Sequence, residues 1–170
     1  MIKVLFVCLG NICRSPMAEF VFKDMVNKRG KAEEFYIDSA ATSTEAVGDG
    51  IHYGTREKLT EEKIPFSEHR ARQITKEDYK KYDYILGMEE RNIKNIKRIV
   101  GEDTENKIFR LLDFSESPRD IADPWYSGNF DRTYEEVVEG CEYFLEFLSN
   151  QWEKLKTKAF IEKYEKTCYN

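Results

Sequence analysis

No apolar run in this 170-residue chain comes near the length needed to cross a bilayer. Repeats and low-complexity tracts are also missing, which leaves a single ordinary domain with a substantial core as the expectation. The four cysteines, Cys8, Cys13, Cys141 and Cys168, show no zinc-like spacing, and no metal-ligand cluster stands out. No metal or other cofactor is therefore expected. Positive charge is in deficit: the net charge is -5, which argues against general nucleic-acid binding. Met1-Ile2-Lys3 leads straight into an apolar segment, with no leader pattern, so a reducing, cytoplasmic setting is expected.

What is present is concentrated near the start. Val4-Leu5-Phe6-Val7 is short, β-rich and non-alternating, the pattern of a buried parallel strand. It runs into Cys8, then into Gly10 and Asn11, residues that tolerate unusual backbone angles. Ser15 is placed to cap a following helix, with Pro16 at its first position. A strand, a tight loop and a helix start aim backbone N–H groups and a positive dipole end into one concavity, which suits phosphate. Cys8 at its edge sits in a field that favours the thiolate. Arg14 offers a rigid fork for two phosphate oxygens.

Further along, Ala18, Val21, Phe22 and Met25 form a helical face ending near Lys28, with Gly30 as its stop. Strands are expected at 35–39, 82–86 and 108–112, and helices at 51–63, 75–79 and 89–100. This alternation predicts an α/β sandwich with a parallel sheet, its ligand site beyond the carboxyl ends of the strands. From Asp113 to Asn129 no helical period appears, and loops of that length are commonly functional. This one contains Asp123-Pro124-Trp125-Tyr126. A last helix begins near Asp131, with a stripe through Tyr134, Val137, Val138, Cys141, Phe144, Leu145 and Leu148. Trp152, Leu155 and Ala159 continue it.

The stretch from Cys8 to Ser15, C-x-x-x-x-x-R-S, together with Asp123-Pro124, resembles the low-molecular-weight protein tyrosine phosphatases. The resemblance covers about residues 2–148. It implies a three-layer sandwich with a central four-stranded parallel sheet, the phosphatase loop lying between strand one and helix one. A phosphatase domain at 1–149 and a helical extension at 150–170 follow. It implies a metal-independent enzyme acting on phosphotyrosine-containing proteins. Cys8 is then the nucleophile, Arg14 the transition-state clamp and Asp123 the general acid. Asp120 is the competitor for the acid role, and a loop-capping role is the plain alternative for Asp123.

Phosphate, or a similar oxyanion, would be held by the loop Leu9, Gly10, Asn11, Ile12, Cys13, Arg14 and Ser15. The resemblance further implies that Asn11, in a left-handed conformation, joins Ser15, Ser39 and His69 in supporting the loop, a solvated helix-to-strand residue being the plain alternative for His69. Ser15 is expected to donate to the Cys8 sulfur. Leu9, Ile12, Glu45, Trp125 and Tyr126 are the expected substrate pocket, Glu45 standing where relatives often carry an aromatic wall. Glu89 stands where the family more usually has Asp. Cys13 is placed to form a reversible disulfide with Cys8 under oxidant, beside the plain reading of a small buried residue. His52 has only a bland reading.

Three rival activities each need residues in a different pattern. An arsenate reductase on the same fold needs downstream relay cysteines, and none occurs between Cys13 and Cys141. A protein-arginine phosphatase usually carries threonine where this chain has Ile12, whose apolar side chain suits a phenyl ring. A non-catalytic phosphoprotein-binding module would be expected to lose Cys8, Arg14 or Asp123. The tail, with Lys154, Lys156, Lys158, Lys163 and Lys166, is read either as a frayed amphipathic terminus or as a contact with the domain, a partner or a second copy.

Overall fold

The computed structural model describes residues 1–168, the side chains of Tyr164, Lys166, Thr167 and Cys168 excepted. The expectations for the side chains of Lys166 and Cys168 lie outside the described residues. Four parallel strands, β1 (Ile2–Cys8), β2 (Phe35–Ala41), β3 (Tyr84–Gly87) and β4 (Ile108–Arg110), form one sheet in the order β2-β1-β3-β4. The first strand is thus interior, and its alternate residues face two different cores. Val4, Phe6 and Cys8 join one cluster with α1 (Arg14–Lys28) and α6 (Phe130–Cys168), while Leu5 and Val7 join another. That second core is closed by α3 (Lys76–Lys81) and α4 (Glu90–Val100), through Tyr79, Ile93 and Ile96. The result is the expected three-layer sandwich. Burial on both faces explains why β1 reads as an unbroken apolar run.

Several boundaries differ from the sequence reading, each for a visible reason. The helix expected at 51–63 is α2, Tyr53–Glu61, because His52 is its N-cap and accepts from the N–H of Gly54. Strand three begins at Tyr84, since Tyr82 is the C-cap of α3 and its hydroxyl donates to Asp38. Thr75 caps α3 as expected, in a reciprocal capping box with Asp78. The 113–129 segment is not structureless. A 3-10 turn at Leu111–Phe114 runs into its start, and a single helical turn, α5 (Pro124–Ser127), lies inside it.

The largest correction concerns the first helix. Arg14 is already helical, Cys13 is the N-cap without a side-chain cap, and Pro16 is the third helical residue. Ser15 does not cap the helix, because its hydroxyl is engaged by Cys8 and Asn11 instead. At the other end of the chain, α6 is one unbroken helix. Its apolar stripe is buried through Leu148, and Lys31 lies over the ring of Trp152. Leu155 and Ala159 continue the stripe in sequence only: both are exposed, so this part of the helix does not pack back on the domain.

Candidate active site

β1 ends at Cys8, and the next residues turn tightly enough that the N–H of Asn11 donates to the Cys8 sulfur at 3.3 Å. This turn requires a left-handed backbone at Asn11 (φ 57°), a conformation Asn tolerates better than most residues. The N–H groups of Leu9, Gly10, Ile12 and Cys13 have no acceptor among the described residues. Unanswered amides around a buried thiol make a cradle for an anion. Cys8 Sγ lies 3.0 Å from Ser15 Oγ, a second polar neighbour for charge on sulfur.

The loop is held from behind by a buried chain of hydrogen bonds. Asn11 donates through Nδ2 to Ser15 Oγ and to Ser39 Oγ, each at 2.9 Å. Its Oδ1 accepts from the N–H of Arg72, and its own carbonyl lies 2.7 Å from His69 Nε2. Ser39 in turn donates to Glu19 Oε1 at 2.6 Å, and Lys23 pairs with the other oxygen of Glu19. Glu19 was missed in the sequence. The signal for it is faint: it is the only charged residue between Arg14 and Lys23 on a helix face that is otherwise buried.

Arg14 is 2% exposed and spans the cleft. It donates to Glu89 at 3.0 Å, to the carbonyl of Ile121 at 3.0 Å and to Asp123 at 3.1 Å. Burial opposes its charge, but Glu89, Cys8 and Asp123 outweigh that cost and hold the guanidinium protonated. Glu89 thereby gains a position that sequence alone did not give it, as the second carboxylate on Arg14 and the cap of α4. Asp123 is the N-cap of α5: Oδ1 accepts from the N–H of Trp125, leaving Oδ2 for Arg14. Its capping and cleft-facing readings are therefore compatible. Asp120 points elsewhere, to Arg110 and the N–H of Glu90.

The cleft above the loop, about 310 Å³, is lined by residues that include Cys8, Leu9, Ile12, Arg14, Glu45, Asp123, Trp125 and Tyr126. Thus the expected catalytic and pocket residues converge on one concavity. Trp125 and Tyr126 nevertheless remain mostly exposed, so that wall is open rather than deep. Cys13 is buried, and burial, reinforced by Cys8 and Asp123 and opposed by Arg14, pushes its thiol up to about 12. It stays protonated at neutral pH and is no competing nucleophile. Cys8, Cys13 and Cys141 are all free thiols. Among the described residues no group of three or more His, Cys, Asp or Glu is placed to hold a metal.

Comparison with known proteins agrees with this geometry. The family model described as low molecular weight phosphotyrosine protein phosphatase matches residues 3–158. The chain belongs to that family. YfkJ of Bacillus subtilis, named a low molecular weight protein-tyrosine-phosphatase, is 42% identical over 147 residues, covering 85% of this chain and 94% of its own. The crystal structure of YfkJ superposes with a TM-score of 0.86, covering 89% of this chain and 96% of that one. The human low molecular weight phosphotyrosine protein phosphatase is 42% identical over 149 residues, covering 85% and 94%. A Drosophila arginine phosphatase structure shares 31% identity at a TM-score of 0.78, covering 86% and 98%, so the family fold carries more than one substrate chemistry. The family match runs past the boundary at 149 read from the sequence, into the exposed part of α6.

Proposed function

We propose that this phosphatase-family chain hydrolyses phosphotyrosine, and aryl phosphate monoesters generally, through a cysteinyl-phosphate intermediate. The observation that carries the reading is the convergence on one cleft of Cys8, the loop residues Leu9, Gly10, Ile12 and Cys13, and Asp123, with Arg14 joined to Asp123 and the Asn11 N–H donating to the Cys8 sulfur. Cys8 Sγ attacks phosphorus as the ester oxygen departs. Arg14 and the loop amides hold the three equatorial oxygens, whose charge is redistributed as the bonds change. Asp123, once protonated, gives its proton to the leaving phenolate, and as carboxylate it then takes one from the water that attacks the phosphocysteine. Ser15 hydrogen-bonds the sulfur as it leaves in that second step.

Ile12 and the aromatic pair Trp125 and Tyr126 line the same cleft and offer apolar surface to a phenyl ring. This favours tyrosine over arginine as the phosphorylated residue. Its protein substrates would present phosphotyrosine on an accessible segment. No described helix is long and apolar enough to cross a membrane, and the free thiols accord with a reducing, cytoplasmic setting. The test is turnover of an aryl phosphate by the wild type and by Cys8→Ser. A fall of at least about 10³-fold in the variant, with its melting temperature retained, is expected. Undiminished hydrolysis by Cys8→Ser would refute the nucleophile assignment.

A further inference from the structure

Beside the catalytic cleft lies a second, more open groove of about 690 Å³, and Trp125 lines both. Its aromatic wall is built on His52, the cap of α2. The His52 ring stacks on Tyr53, with centroids 4.5 Å apart, and on Phe130, with centroids 5.4 Å apart; Trp125 meets it edge-on. Gly54 permits this arrangement, because a Cβ there would fall 2.4 Å from the Phe130 ring. His52 Nδ1 accepts a hydrogen bond from the backbone N–H of Gly54 at 3.1 Å, which fixes the ring over the groove. The same turn is fastened to the phosphate loop. The N–H of His52 donates to the carbonyl of Ile12, and Thr55 Oγ1 donates to the carbonyl of Cys13.

The charges on the groove's rim are unequal. Glu57, Glu61 and Asp131 line it, against Lys58 as the lone lining cation among the described residues. Lys58 is largely buried and already matched, with Nζ 2.7 Å from Asp131, 3.0 Å from Glu62 and 3.4 Å from Glu61. Glu57 is exposed and has no ion pair among the described residues. Within the catalytic cleft, Glu45 and Asp49 are likewise exposed and unpaired among those residues.

On the basis of the phosphotyrosine reading, we infer that the His52–Phe130 groove is a substrate subsite for a basic side chain flanking the phosphotyrosine, which makes Glu57 a specificity-determining residue. A guanidinium or ammonium group would lie over the exposed faces of Trp125 and Tyr53 and meet unspent carboxylate. An acidic neighbour would face the same carboxylates and be disfavoured. Continuity through Trp125 puts this groove within reach of residues close to the phosphotyrosine in sequence. The preferred substrates are then phosphotyrosine segments with lysine or arginine nearby.

The experiment compares phosphotyrosine peptides carrying Arg, Ala or Glu at each flanking position, with p-nitrophenyl phosphate as the small control. Wild type should favour Arg over Glu by about ten-fold in kcat/KM at low ionic strength, less at high salt. Glu57→Lys should reduce that preference by about five-fold, while the small ester stays within about two-fold. Equal rates for Arg, Ala and Glu peptides, or an unchanged preference in Glu57→Lys, would overturn the subsite. So would equal losses on peptides and the small ester, which would mark a general disturbance. Failure of the wild type to turn over the small ester would count instead against the hydrolase reading.

Discussion

Around Cys8, side chain after side chain is buried and answered by a partner: Asn11, Ser15, Ser39 and Glu19 form one continuous hydrogen-bonded chain. Across the cleft, Trp125 and Tyr126 are 62% and 75% exposed, and their turn of helix is four residues long. The two halves answer to different demands. Phosphate is one small tetrahedral anion, so its cradle gains from rigid pre-organisation. On the function proposed above, the phosphotyrosine ring would arrive on varied peptide segments, which an open aromatic wall would accommodate. Arg14, through Asp123 and the carbonyl of Ile121, and the groove-lining turn at His52 tie one half to the other.

The strongest way to break the comparison is to remove that tie from the rigid side. Lysine at position 14 keeps the charge but cannot donate at once to Glu89, Ile121 and Asp123. Arg14→Lys should lower kcat on aryl phosphates by about 10²–10³-fold, because transition-state oxygens lose a preformed two-pronged donor. Steady-state kinetics with a melting-temperature control measures it. A change confined to KM would mean that Arg14 binds substrate and transition state equally.

Cutting the tie from the exposed side is expected to depend on the leaving group. Asp123→Asn retains the cap on Trp125 but has no proton to give, so phenols of high pKa should slow by about 10²–10⁴-fold. Activated leaving groups need the proton less and should slow less in the first step. A Brønsted series across aryl phosphates checks this. Equal losses throughout the series would assign Asp123 to positioning Arg14 rather than to proton transfer.

This division also governs what could be read from the chain. The sheet, the interior position of the first strand and the convergence of Cys8, Arg14 and Asp123 were all legible. Apolar runs, Gly10-Asn11 and the resemblance are local signals. Long-range partnerships were less so. Glu19 reaches Ser39, and Glu89 reaches Arg14 from 75 residues away, and nothing in the local pattern announces either. Ser15 failed as a cap for a related reason: a hydroxyl beside a buried thiol and an Asn amide has better partners than the helix end. The tail shows the opposite limit, since its stripe continues in sequence through Leu155 and Ala159 after packing against the domain has ended, which accords with the reading of an amphipathic terminus.

A stability comparison sharpens the contrast without any catalysis. Ser39→Ala removes a buried hydroxyl at the middle of the chain and leaves Glu19 Oε1 without its 2.6 Å donor. Stranding a buried carboxylate oxygen should cost about 1–3 kcal/mol, read as a lowered denaturation midpoint with unchanged slope. It should also lower kcat, because Asn11 Nδ2 loses one of its two acceptors.

The smallest expected effect lies at Trp125. Its ring is mostly exposed, and its edge-on contact with His52 is the single ring contact it makes among the described residues. Trp125→Ala should therefore change unfolding free energy by no more than about 0.5 kcal/mol. The same substitution strips aromatic surface from both the cleft and the groove, so KM for aryl phosphates and phosphopeptides should rise while kcat changes less. Chemical denaturation beside steady-state kinetics separates the two. If Trp125→Ala destabilised the protein as much as Ser39→Ala, the aromatic wall would belong to the scaffold. It would then be as rigid as the phosphate cradle, and the contrast between the two halves of the site would fail.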